Sequence, residues 1–125
     1  VFKIDRESDA VLRAIRKQMM EKIVNSVGFV EMLMNPANAP RMYFAYMKTM
    51  SAEDRKSLDK IYGAFSGLVI SSLQAEIEYS EKREAELVKD ILKVWKENKD
   101  DFMKVLQNVR KPVNVQTKKE KSYFG

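Results

Sequence analysis

The six residues Asn35-Pro36-Ala37-Asn38-Ala39-Pro40 hold two of the three prolines in a chain that has only four glycines. With so few breakers in 125 residues, the chain has few places to turn. A small number of long elements is favoured over many short ones. Asn-Pro marks a turn, and each proline pushes the residue before it out of the helical region. This stretch therefore separates a first long element from everything that follows.

Before it, Leu12, Ile15, Met19, Ile23, Val27, Val30 and Met34 recur at steps of three and four, the period of a buried helical stripe. A helix over 9–34 is expected, with Ser8 or Asp9 as N-cap. Pro40 suits the first turn of a short helix over 40–50. Ser51 can cap the next helix, and Glu53 and Asp54 suit its positive end. There Leu58, Ile61, Tyr62, Phe65, Leu68, Val69 and Leu73 form the second stripe. No glycine or proline lies between Gln74 and Val88. One unbroken helix to beyond Trp95 could not fold back on itself, so a turn is expected near Tyr79-Ser80, with Ser80 as the next cap.

The last helix is expected over 81–109. It carries Val88, Ile91, Trp95, Phe102, Val105 and Val109, with Leu87, Leu92 and Leu106 widening the stripe. Asn98 falls on the buried phase, so either the helix breaks at 98–101 or Asn98 is a polar core position. Pro112 ends the pattern, and 112–125 reads as a flexible basic tail. The expected fold is all-α: an antiparallel helical bundle of three to four main helices plus a short Met- and aromatic-rich helix. One domain over 1–111 accommodates it.

Two absences narrow the chemistry. Cysteine is missing, which excludes disulfides, thiolate metal sites and a cysteine nucleophile. Histidine is also missing, which removes the commonest general base and metal ligand. A Ser-His-Asp mechanism and a Glu-x-x-His di-iron site fall with it. No phosphate-binding glycine loop or dinucleotide fingerprint occurs. The charge-free run Ile61–Ala75 is too short to span a bilayer, so no membrane span is expected and a cytoplasmic chain is the reading.

Four groups of residues remain as candidate sites. Gly63, Gly67, Ser71 and Ala75 place a small residue at every fourth position of one helix. Each glycine costs roughly 1 kcal/mol against alanine there, so a packing gain is expected to offset it. Close approach by a helix of the same chain, or by a second copy in a homodimer, would supply that gain. Met42, Tyr43, Phe44, Tyr46 and Met47 form a Met-aromatic segment suited to a partner helix or to filling core around the turn.

The net charge is +5, with 1–50 at +3, 51–100 at −2 and 101–125 at +4. A basic surplus admits nucleic acid as a partner. Arg13, Arg16, Lys17 and Lys22 on the first helix, and Lys118, Lys119 and Lys121 in the tail, are the candidates. A solvated face is the alternative for both. Glu81 and Glu84, followed by Glu97 and Asp100, give an E-x-x-E pair and then an E-x-x-D pair. The pattern resembles the Mg²⁺ site of the all-α NTP pyrophosphatases, and the resemblance implies Mg²⁺ as cofactor and phosphohydrolase chemistry. It departs from that family in placing both pairs on one helix, and Lys82, Arg83 and Lys89 interleave the acids as on a solvated face. The leading expectation is a non-enzymatic bundle that acts through protein–protein contact and self-associates. It has no cofactor.

Overall fold

The structure, a computed structural model, describes residues 2–35, 37 and 39–124, with side chains over 10–35, 37 and 39–112. Helix α1 runs Phe2–Met34. It closes as Asn35 N–H donates to the Glu31 carbonyl at 2.9 Å. The Asn35 side chain then accepts from Ala37 N–H at 3.3 Å, an Asx turn that carries the chain off the helix axis. A 3₁₀ turn, Arg41–Tyr43, leads directly into the short α2, Phe44–Thr49.

Helix α3, Ala52–Ile77, begins as expected: Ser51 Oγ accepts from Asp54 N–H at 3.0 Å. The next turn falls at Glu78-Tyr79-Ser80, where Ser80 Oγ accepts from Arg83 N–H at 3.1 Å. Helix α4 then runs Glu81–Phe124. The last helix, expected to end before Pro112, instead continues through it to Phe124. Proline's φ fits a helix. Its cost is the lost N–H and a clash with the preceding turn, about 3 kcal/mol in a helix interior, which kinks a helix or breaks it.

Arg16 bonds to Ser72 and Tyr62 to Glu31, so α1 and α3 are antiparallel. Lys60 meets Asp101 and Lys104 meets Glu53, so α3 and α4 are antiparallel too. Helices α1 and α4 are therefore parallel to each other, and all three pack pairwise while α2 lies against α4. The result is an all-α, up-down-up bundle. Its core draws Met20, Ile23, Val30 and Leu33 from α1, and Leu58, Ile61, Phe65, Leu68 and Ala75 from α3. Leu87, Ile91, Phe102, Val105 and Val109 of α4 and Tyr46 of α2 complete it. Phe65 lies at its centre, stacked on Trp95 at 5.9 Å between centroids and edge-on to Phe102 at 6.3 Å.

The apolar stripes are right in period and wrong at particular positions. Ile15, Met34, Leu73 and Leu92 are exposed, while Arg16, Ser72 and Glu84 are buried. A polar stratum occupies one end of the core, and a pattern of apolar residues cannot reveal it. The helix does not break at Asn98. That side chain is buried and donates from Nδ2 to the Val94 carbonyl at 2.7 Å.

Candidate interaction surface

Helix α3 packs on α1 and α4 along one side and leaves the opposite side to solvent. At about 100° per residue, Gly63, Gly67, Ile70, Gln74 and Ile77 fall within about 40° of a single line, diametrically opposite Asp54, Ile61, Phe65 and Ser72. The inward residues are buried and all five outward ones are exposed. Ile70 is 58% exposed and Ile77 83%, with Leu73 beside them at 56%. A Cβ added at Gly63 or Gly67 would meet nothing within 4 Å.

This corrects the expectation that a helix of the same chain packs over the glycines. A ridge of every fourth residue drifts about 40° per step around a helix. Gly63 and Gly67 therefore start on the solvent side, Ser71 is half-buried at the boundary, and Ala75 reaches the core. The four do not form one surface.

The stripe is free of charge, but its two ends are not. Arg55 and Lys56 are exposed near the start of α3, and neither makes an ion pair among the described residues. At the far end Glu76 is half exposed and Glu78 largely so. The last turn of α3 holds no basic residue.

A second apolar surface follows the groove between α1 and α4. A cavity of about 650 Å³ is lined by Phe29, Trp95, Phe102, Met103 and Leu106, with Lys99 and Asp100 at its rim. A smaller one of about 280 Å³ continues it past Met19, Lys22, Ile91 and Leu92.

The remaining expected sites are dispersed. Glu84 is buried, its Oε1 and Oε2 accepting from Arg16 Nη2 at 3.0 Å and Nε at 2.9 Å. Glu81, Glu97 and Asp100 are exposed on the same helix. No group of three acidic residues placed to hold a metal occurs among the described residues. The four residues thus do not assemble a Mg²⁺ site: the one inward carboxylate, Glu84, is engaged by the Arg16 guanidinium, which also holds Glu76 of α3.

The basic face of α1 also divides. Arg16 is only 2% exposed, and its Nη1 donates to Ser72 at 2.9 Å and to Glu76 at 3.2 Å. The hydrogen bond to Glu84, reinforced by Glu76, raises its pKa against the opposing effect of burial. Arg13 lies over the Tyr79 ring at 4.4 Å, tying α1 to the α3–α4 turn. Lys22 sits about 180° around the helix from Arg13 and faces the α1–α4 groove. Lys118, Lys119 and Lys121 lie outside the described side chains.

In the Met-aromatic segment only Met42 and Phe44 are well exposed. Tyr43 packs edge-on against Phe29 at 5.8 Å, and Met47 lies against the core. Tyr46, expected on a partner surface, is buried, and its hydroxyl donates to Asp54 Oδ2 at 3.0 Å. Asn108 Nδ2 donates to the same oxygen at 3.0 Å. The segment fills core around the turn because Asp54 offers a buried acceptor at the start of α3.

Sequence reasoning missed Ile70 and Ile77, since both lie off the stripe that defines the core. The available signal was their phase, opposite to Ile61, Phe65 and Leu68. No helix among the described residues is long and apolar enough to cross a membrane. No family model, curated protein or solved structure matches the chain.

Proposed function

We propose that this protein is a non-enzymatic helical bundle that works through protein–protein contact and associates with itself through the outer face of α3. The observation that carries the reading is the outward glycine pair. Two glycines on a solvent-facing helix surface cost about 2 kcal/mol against alanine, and nothing among the described residues uses the space they leave. A second helix passing close over them would. Ile70, Leu73 and Ile77 beside them supply apolar area whose burial favours association. The lack of cysteine and histidine and the dispersal of the acidic residues leave contact as the better-supported role. Sedimentation equilibrium of the full chain at tens of micromolar is expected to show a dimer. A monomer at every concentration in that range counts against self-association.

A further inference from the structure

The groove between α1 and α4 is concave, apolar and bordered mainly by one sign of charge. Its two cavities, about 650 and 280 Å³, share Trp95 as a wall. From Ile91 to Leu106 they extend about 22 Å along α4, four turns of a facing helix. The helices on either side run parallel, and α3 packs against both from behind. A fourth helix laid antiparallel in the groove would complete an up-down-up-down bundle. It would cover Leu92, Trp95 and Met103, which are exposed. An amphipathic helix, with apolar residues at steps of three and four, is the shape that fills such a trough.

Charge selects the occupant. At about 100° per residue, Lys89, Lys96 and Lys99 fall within about 80° of arc on α4, an arc that also holds Leu92 and Met103. Glu86, Asp90, Glu97 and Asp101 fall within about 60°, centred about 120° further round. That is the α3 side, where Asp101 meets Lys60 at 3.4 Å. Helix α4 thus sorts its lysines to the groove and its acids away from it, with Asp100 alone at the rim. Across the groove α1 offers Lys22 between the neutral Gln18 and Asn25, while Glu21 lies about 100° round from it. All four lysines are exposed, and none makes an ion pair among the described residues. A second copy seated groove to groove would set lysine against lysine. Acidic residues beside an apolar seam would instead meet them. We propose that the α1–α4 groove docks an amphipathic helix of another protein, its apolar seam on Leu92, Trp95 and Met103 and its acidic flanks facing Lys22, Lys89, Lys96 and Lys99. The site is separate from the α3 face and does not depend on self-association.

Two synthetic helical peptides with the same leucine seam, one flanked by glutamate and the other by lysine, test this. Trp95 is the only tryptophan in the chain, so its emission reports covering of the groove. The glutamate peptide should shift that emission to the blue. It should bind at least about tenfold more tightly than the lysine peptide at low salt, a margin that shrinks as salt rises. Lys96→Glu with Lys99→Glu, both surface changes, should reverse the preference. Met103→Glu should weaken the glutamate peptide about tenfold while circular dichroism stays that of the wild type. No emission shift with the glutamate peptide, equal binding of both peptides, or a preference that survives the double charge reversal overturns the proposal. So does a phosphatidylserine vesicle or a single-stranded oligonucleotide that moves Trp95 emission at lower concentration than the glutamate peptide, which would give the lysines to phosphate instead.

Discussion

Arg16 is held by three side chains from two other helices: Ser72 and Glu76 of α3 and Glu84 of α4. With its fork engaged on both carboxylate oxygens of Glu84, it fixes the relative height of all three helices at one end. Such a pair gains little over well-packed apolar residues, but losing one partner strands a buried charge. Arg16→Met should therefore cost about 3–5 kcal/mol in urea unfolding, and Arg16→Met with Glu84→Leu should recover most of it. Tyr46 fastens the opposite end. Burial, and then its bond to Asp54, raises the phenol's pKa above the ordinary value. The folded chain thus keeps a proton that the unfolded chain loses above about pH 10, so this contribution is complete below that pH and fades as pH rises beyond it. Tyr46→Phe should cost about 1–3 kcal/mol at neutral pH and should flatten the alkaline loss of stability, both measured by urea titration. None of these partners shows in the sequence as core. An arginine and a glutamate 68 residues apart become a pair only when two helices are set side by side.

The elements themselves were far more legible than their polar contents. Ser51 and Ser80 each announce a helix start, because a hydroxyl at that point satisfies an amide no helix can satisfy internally. The turn at Tyr79-Ser80 follows from length alone. Pro112 misled, since a missing N–H weakens a helix without always ending it. Asn98 shows what spacing can settle: it keeps the seven-residue phase of Glu84, Ile91 and Val105, all buried, so the helix runs through it. The glycines of α3 were recognised as a surface that needs a neighbour, yet which side of the helix they occupy depends on the packing of α1 and α4. Their position makes an opposed pair of effects. In dilute, monomeric protein, Gly63→Ala should raise stability by about 1 kcal/mol, since the methyl meets nothing and helix propensity improves. In concentrated protein the same methyl should weaken association, because it stands on the face proposed to meet a second copy. Thermal melts across a dilution series check both signs.

As a whole molecule, the chain is a bundle of three long helices whose described residues leave apolar area uncovered on the outer face of α3 and in the groove between α1 and α4. The first carries the two outward glycines, while the second carries Trp95 and Met103 with Lys99 and Asp100 at the rim. A glutamate placed in the centre of either surface separates them directly. Ile70 and Met103 are nearly equally exposed, at 58% and 56%, so either substitution should leave the fold intact. The decisive measurement is sedimentation equilibrium of the wild type, Ile70→Glu and Met103→Glu at matched concentrations. Contact through α3 predicts that Ile70→Glu weakens the dimer at least about tenfold, roughly 1.4 kcal/mol, while Met103→Glu associates as the wild type does. A dimer that survives Ile70→Glu and dissociates with Met103→Glu would contradict it and move the interface to the α1–α4 groove.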